Sequence, residues 1–182
     1  MLAAGSSKRF GADKRLAKME DGRSVLEASV ASVQTTRLPL LVCLRPGDDI
    51  AQQLLKQLAV SFVCCDRAAE GLGATLAQGM AALPNWEGVL VALADMPWIA
   101  PATYVDVADT LTPTHICRPV YQGEAGHPVG FGSAFFQQLR DLSGDRGAKA
   151  VVAANADKML SINVSDPGIH QDIDHPRDMV TR

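Results

Sequence analysis

The chain has 182 residues, of which 47% are hydrophobic and 20% are charged. This length and balance fit a single globular domain and exclude a charge-rich disordered chain. The formal net charge of −3 excludes the global basic field that holds nucleic acid, so any cationic site must be local. Since no apolar run approaches the roughly 20 residues of a membrane span, we expect residues 1–182 to form one cytoplasmic domain without nucleic-acid or membrane partners.

Cysteine usage agrees with a reducing compartment. The four cysteines lie in or beside apolar runs, without the CxxC or Cys/His spacing of metal sites; they are Cys43, Cys64, Cys65 and Cys117. We expect buried, reduced thiols.

Short apolar runs alternate with helical patterns along most of the chain. Helical periodicity predicts helices over 24–34, 48–58 and 73–83, and the first opens with the capping-box pair Ser24 and Glu27. Runs rich in Val, Leu or Ile predict buried strands over 38–44, 59–65, 88–94 and 159–164. This alternation predicts a three-layer α/β/α, Rossmann-like fold with a mostly parallel sheet, which binds its ligands beyond the carboxyl ends of the strands.

The segment from about residue 112 to 136 breaks this regularity, because glycines and prolines interrupt β-prone residues. We interpret it as a small inserted hairpin or lid within the single domain, since no linker precedes it. His127 lies in its Gly/Pro-rich turn, where a histidine faces a ligand or is simply exposed; the residues alone leave both readings open.

The first chemical feature is the opening stretch MLAAGSSKRFGADK. If Leu2–Ala4 end a strand, residues 5–9 form a β-to-α turn whose backbone N–H groups can face an anion. Arg9 and Lys14 would then place positive charge against phosphate oxygens. The stretch matches neither the Walker A pattern nor the GxGxxG pattern, so a solvated polar N-terminus is the alternative.

Acidic residues form the second feature. Asp95 directly follows the apolar run 88–94, where a carboxylate can hold a Mg²⁺ ion that bridges substrate phosphates; the alternative is a helix cap or turn residue. Asp172 and Asp174 are two residues apart, so in an extended segment both carboxylates point to the same side. Taken alone, this acidic pair also fits an ordinary surface segment.

Taken together, the motifs resemble the molybdenum cofactor cytidylyltransferases, a group within the MobA-like NTP transferases, which have a nucleotide-diphospho-sugar transferase fold. The resemblance runs in the family's order from residue 2 to residue 179. The stretches that carry it are LAAGSSKRFGADK, EGLGATLAQGM, ALADMP, RPVYQGEAGHPVGF, LSGDRGAKAVV and DIDHPRDM.

This resemblance implies a Mg²⁺-dependent transfer of CMP from CTP to the terminal phosphate of molybdopterin, with release of pyrophosphate. It also implies a transient molybdoenzyme or delivery-chaperone partner. It assigns catalytic roles to Arg9, Lys14 and Asp95, and metal binding to Asp95 with Asp172 or Asp174. It assigns nucleotide binding to nine residues, which are Leu2, Ala3, Ala4, Gly5, Ser6, Ser7, Gly71, Gly73 and Thr75. It assigns acceptor binding to Pro97, Gly126, His127 and Pro128.

The resemblance also implies that cytosine is the base. Guanylyltransferases of the same pathway typically have LAGG where this chain has LAAG, so Ala4 is the residue that favours cytosine. The alternatives are a molybdopterin guanylyltransferase, a methylerythritol-phosphate cytidylyltransferase, or a non-catalytic protein that binds and delivers a pterin cofactor. The chain departs from the family pattern in three ways. Thr75 replaces serine, His175 replaces threonine, and almost no strand precedes LAAG, so we expect a truncated first strand that lowers stability or activity.

Overall fold

The computed structural model of the protein describes residues 1–5 and 10–179. The helices are α1 (Val25–Gln34), α2 (Asp49–Gln57), α3 (Leu72–Ala81), α4 (Pro101–Thr110), α5 (Phe136–Arg140) and α6 (Lys149–Ala154). The strands are β1 (Leu41–Leu44), β2 (Ser61–Cys64), β3 (Gly88–Val91), β4 (Ile116–Tyr121), β5 (Glu124–Ala125), β6 (Val129–Gly132) and β7 (Met159–Asn163). Every helix and strand predicted from the sequence is present, although the strands at 38–44, 59–65 and 88–94 are shorter than expected.

Helix α1 begins where its sequence predicts, because Ser24 and Glu27 satisfy each other's backbone N–H groups. The Ser24 hydroxyl accepts a hydrogen bond of 3.2 Å from the Glu27 backbone, and the Glu27 carboxylate accepts one from the Ser24 backbone. The capping box is therefore confirmed.

The opening residues lie between β1 and the extension of β3. Leu2 pairs in parallel with Cys43 on one side and with Leu93 on the other. Its backbone N–H donates to the Ala92 carbonyl at 2.8 Å, and its carbonyl accepts from the Ala94 N–H at 3.0 Å. This pairing joins the β1–β2 pair to the strands that follow, so the residue after this segment, Gly5, lies near the end of β3.

The remaining strands extend a mixed sheet. Strands β1 and β2 are parallel, as are β4 and β7, whereas β6 lies antiparallel between β3 and β4. The hairpin predicted in residues 112–136 contains the antiparallel β4–β5 pair, and β4, β5 and β6 of this segment all belong to the five-stranded sheet. The architecture is the mixed, mostly parallel α/β sheet of the nucleotide-diphospho-sugar transferase fold.

Two apolar clusters cover the two faces of the sheet. Helices α1, α2 and α4 contribute to one cluster, for example through Leu26, Leu55 and Tyr104. Helices α3, α5 and α6 contribute to the other, for example through Met80 and Leu139. The three layers are therefore present, and we call the second side the α6 face.

All four cysteines are free thiols, and three of them are buried while Cys64 is half-buried. Within the described ranges, no helix is long and apolar enough to cross a membrane.

Candidate active site

Lys14 joins two acidic residues that are far from it in the sequence. It begins a 3₁₀ turn, Lys14–Leu16, that follows the opening stretch. Its Nζ lies 2.7 Å from Asp95 Oδ2 and 3.1 Å from Asp174 Oδ1. The segment that contains Asp174 is held against Asp95, because the Ile173 N–H donates to the Asp95 carbonyl at 2.9 Å. The sequence-predicted residues Lys14, Asp95 and Asp174 therefore form one cluster at the end of the β3 segment.

The electrostatics of this cluster favour a charged lysine. Burial by itself would lower the pKa of Lys14, but the hydrogen bonds and charges of Asp95 and Asp174 outweigh it and raise the pKa. Asp95 Oδ2 contacts the ammonium group, whereas its Oδ1 is buried without a hydrogen-bond partner in the described part of the chain. A buried carboxylate oxygen of this kind is costly unless a further donor or cation approaches it.

The acidic pair Asp172 and Asp174 flanks a buried residue, Ile173. Asp178 fixes the turn after them, because its Oδ2 accepts from the backbone N–H groups of Asp174 at 3.1 Å and His175 at 2.7 Å. The hydrogen bond from His175 holds the pKa of Asp178 below its ordinary value. Sequence reasoning gave Asp178 no role, although its place three residues after His175 is a recognisable turn signal.

Four charged side chains form a second group, the loop clamp, made of Asp13, Arg15, Arg45 and Asp48. Arg15 is 3% exposed and pairs with both aspartates, at 2.8 Å from its Nε to Asp13 Oδ1. Arg45 Nε donates to Asp48 Oδ1 at 3.0 Å, and its guanidinium also pairs with Asp13.

The loop clamp also holds the backbone on both sides of the opening loop. Arg15 Nη1 donates to the carbonyl of Ala3, and Arg45 Nη1 donates to the carbonyl of Gly5 at 3.4 Å. Asp13, at the far end of the same loop, is held by both arginines. Sequence reasoning did not find the loop clamp, because Arg15 and Asp48 read as ordinary surface charges.

The glycines assigned to nucleotide binding pack against the segment that contains Gly144 and Asp145. Gly71 has φ +125°, and a Cβ there would lie 2.6 Å from the Asp145 Cα. The Gly73 N–H donates to the Gly144 carbonyl at 2.8 Å, and a Cβ on Gly73 would lie 2.9 Å from that oxygen. Thr75 is buried, and its hydroxyl donates to the Gly71 carbonyl at 3.1 Å. Only glycine fits at the first two positions, and a nucleotide role for any of the three stays a prediction.

The residues assigned to the acceptor lie in two turns, one directly after Asp95 and one between β5 and β6. Gly126 packs so closely on Ile169 that a Cβ would lie 2.4 Å from its carbonyl oxygen. The His127 N–H donates to that carbonyl at 3.1 Å, and the next bond, His127–Pro128, is cis. Pro97, in the turn after Asp95, is buried.

The imidazole of His127 is largely buried, and the charges of nearby side chains act on it. Desolvation lowers its pKa, while the backbone of Val91 and the charges of Asp95 and Asp172 act in the opposite direction. Its Nδ1 is buried and has no hydrogen-bond partner among the residues described. A neutral ring is therefore expected at pH 7, with one nitrogen left for a ligand.

Residues 1–159 match the family model described as the MobA-like NTP transferase domain. The chain belongs to this family. It is accordingly a nucleotidyltransferase, and the match covers the opening stretch, Asp95 and the turn at His127.

Individual relatives of this MobA-like NTP transferase agree with the match. The purine catabolism protein PucB of Bacillus subtilis (strain 168) is 25% identical over 194 residues, covering 100% of this chain and 94% of the relative. The crystal structure of Rv0371c from Mycobacterium tuberculosis H37Rv has 27% identity and a TM-score of 0.82, covering 97% of this chain and 91% of that one. A second structure of the same protein, in complex with manganese, has 26% identity, a TM-score of 0.76 and coverages of 97% and 92%.

The fold thus brings several residues of the site predicted for this MobA-like NTP transferase together. Lys14, Asp95 and Asp174 are in direct contact, and His127 lies within the electrostatic influence of Asp95 and Asp172. Ser6, Ser7 and Arg9 lie outside the described residues, so their assigned roles stay predictions.

The loop clamp of this MobA-like NTP transferase makes its stability depend on pH in the acid range. Burial would raise the pKa of Asp13 and Asp48, but hydrogen bonds and charges from Arg15 and Arg45 outweigh it and hold both below the ordinary value of 3.8. Carboxyls with depressed pKa values stabilise the folded state above their unfolded pKa, and this stability is lost as pH falls through the folded pKa.

We therefore expect the free energy of unfolding, measured by urea titration, to fall steeply below about pH 4. The double variant Asp13→Asn/Asp48→Asn, measured beside the wild type, should show a weaker dependence. An equal acid dependence in the two proteins would mean that the loop clamp does not cause it.

Proposed function

We propose that this protein transfers CMP from CTP to the terminal phosphate of molybdopterin and releases pyrophosphate, with the help of a divalent cation. The observation that carries the proposal is the contact of the Lys14 ammonium with Asp95 and Asp174, with the charge of Asp95 also acting on His127. A cation flanked by acids at the end of a strand suits binding and neutralising phosphate groups. The proposal extends the nucleotidyltransferase activity of the family to one base and one acceptor.

The donor set at Asp95 fits a hard divalent ion. Mg²⁺ typically binds proteins through one or two carboxylates and completes its shell with waters and substrate phosphates. Asp95, whose Oδ1 has no partner in the described part of the chain, and Asp174 would hold it, with Asp172 as the alternative to Asp174. The manganese complex of Rv0371c also supports a divalent metal.

When bound, the ion would neutralise phosphate charge and polarise the phosphoryl oxygens. The chain's own residues position the reactants. Lys14, kept protonated by its acidic neighbours, stabilises charge on the α-phosphate and on the departing pyrophosphate. Arg9 is proposed to do the same from the opening loop, whose ends the loop clamp fixes.

The reaction requires no nucleophilic side chain. An oxygen of the acceptor phosphate attacks the α-phosphorus in line, so a new O–P bond forms while the bond between the α-phosphorus and the bridging oxygen breaks. The electron pair of the broken bond leaves with pyrophosphate.

Two further features bear on the base and on the recipient of the product. Ala4 is buried and lies directly after the paired residues Met1–Ala3, and its small side chain is proposed to favour cytosine. The similarity to a purine catabolism protein makes the enzymes of that pathway the first place to seek a molybdoenzyme that receives the product.

A nucleotide panel tests the proposal. Pyrophosphate release is measured with CTP, GTP, ATP and UTP in parallel, with Mg²⁺ or Mn²⁺, and with or without molybdopterin. We expect release that depends on the acceptor, with a kcat/KM for CTP at least about tenfold above the others, the scale of discrimination a small pocket difference supplies. A preference for GTP would overturn the assigned base. Transfer to methylerythritol phosphate instead of molybdopterin would overturn the acceptor, and silence with every nucleotide would overturn the enzyme assignment.

A further inference from the structure

Two side-chain nitrogen atoms, one of them on a residue assigned to the acceptor, are buried without a hydrogen-bond partner among the described residues. Arg118 Nε and His127 Nδ1 are both inaccessible to solvent, and neither forms a hydrogen bond to the described residues. Arg118 also makes no ion pair there, although guanidinium groups in partly buried positions are normally paired. Such atoms are expected where a ligand completes the hydrogen bonding.

The register of β4 places Arg118 on the α6 face. Strand β4 pairs with β7 without interruption from Ile116 to Val120, so its side chains alternate between the two faces. Ile116 belongs to the apolar cluster of the α6 face, and Arg118, two residues later, lies on the same face. The Gly126 N–H donates to the Pro119 carbonyl at 2.9 Å, which brings the turn that carries His127 alongside Arg118.

Lys149 supplies a third nitrogen-bearing group. It begins α6, whose Val151 packs into the cluster of the same face. Lys149 is exposed, makes no ion pair to the described residues, and its charge acts directly on His127. The segment that leads into it is anchored to the start of α3 by the hydrogen bond from the Gly73 N–H to the Gly144 carbonyl.

The charge balance of the site shows why these groups matter. A phosphate monoester carries about −1.5 to −2 charge at pH 7. It must approach Asp95, Asp172 and Asp174, and Lys14 is already shared between two of these acids. An acceptor phosphate therefore needs further cationic groups, and an arginine fork with a lysine suits such an anion well.

We infer that Arg118, His127 and Lys149 form a subsite on the α6 face that binds the phosphate monoester group of the acceptor. This inference rests on the proposed function insofar as the acceptor is a phosphate monoester, and it is independent of which base is transferred. Arg118 and Lys149 supply charge, and one proton shared between His127 Nδ1 and a phosphate oxygen completes the hydrogen bonding of the buried ring nitrogen.

Two measurements on the same variants test the subsite. Arg118→Met and Lys149→Met are compared with the matched controls Arg140→Met and Lys158→Met, which remove exposed basic residues elsewhere; thermal unfolding checks that each variant is folded. In steady-state transfer, the KM for molybdopterin should rise at least tenfold in the subsite variants, while the KM for CTP changes less than twofold. Arg118→Lys should restore part of the loss.

The second measurement does not depend on turnover. Binding of inorganic phosphate is followed by ³¹P line broadening with α,β-methylene-CTP present at saturation, so that the triphosphate site is blocked. We expect weaker phosphate binding in the subsite variants and wild-type binding in the controls. If the wild type transfers nothing to molybdopterin, the proposed function fails and this comparison still decides the subsite.

Two results would overturn the subsite. One is equal phosphate binding by the wild type and both subsite variants. The other is a rise in the KM for CTP as large as the rise for molybdopterin, because these side chains would then serve the triphosphate.

Discussion

Replacing Asp95 by asparagine is expected to lower nucleotidyl transfer by at least about 100-fold, the scale of removing one preorganised electrostatic group. Asparagine keeps the size of the side chain but removes the charge that holds Lys14 at 2.7 Å and that would hold a divalent ion. The fold should survive, since the Asp95 backbone, which accepts from Ile173, is unchanged. The loss should fall on kcat more than on the KM for nucleotide, because the charge is needed most as pyrophosphate leaves.

The measurement is pyrophosphate release at saturating nucleotide, with Asp106→Asn as the control. Asp106 is an exposed carboxylate on α4, so its replacement changes the net charge equally without touching the site. Thermal unfolding of both variants checks that they are folded. Near-normal turnover by Asp95→Asn would remove Asp95 from the phosphate-binding machinery.

Local patterns in the sequence were sufficient for much of the fold. The capping-box pair Ser24 and Glu27 predicted the start of α1. The helical spacing of apolar residues predicted α2 and α3 without any knowledge of the elements they pack against. Asp95 could be placed at the end of a strand because an apolar run stops directly before it. In each case, residues within one turn or one strand determine the outcome.

Features that depend on distant partners were not accessible in the same way. The antiparallel insertion of β6 between β3 and β4 depends on pairing across about 40 residues, which no local pattern encodes. The sequence also left the roles of Asp172 and Asp174 open, and only the fold shows that Asp174 reaches Lys14. Charged residues are the hardest case, because a buried, paired arginine and an exposed one look alike in a sequence.

Arg15 is such a buried, paired arginine that the sequence did not distinguish from an exposed one. Its replacement by methionine is expected to lower the free energy of unfolding by about 2–4 kcal/mol. Methionine fills much of the same apolar space, but among the described residues it leaves Arg45 as the remaining charged partner of Asp13 and Asp48. It also removes the hydrogen bond to the Ala3 carbonyl. Because the start of the opening loop is then less firmly held, the KM for nucleotide should rise as well, by about tenfold.

Urea unfolding at pH 7 and at pH 4 measures the change in the free energy of unfolding, and steady-state kinetics measure the KM for nucleotide. Arg23→Met is the matched control, since Arg23 makes a comparable pair with Asp21 on an exposed surface, where such pairs contribute about 0–1 kcal/mol. If Arg15 mainly neutralises the two half-buried acids, its variant should lose more stability at pH 7 than at pH 4. Without Arg15, burial raises the pKa of both carboxyls, so that in the variant they protonate near pH 4 and no longer need a cationic partner. Equal losses at both pH values would instead assign its contribution to packing and to the bond with Ala3.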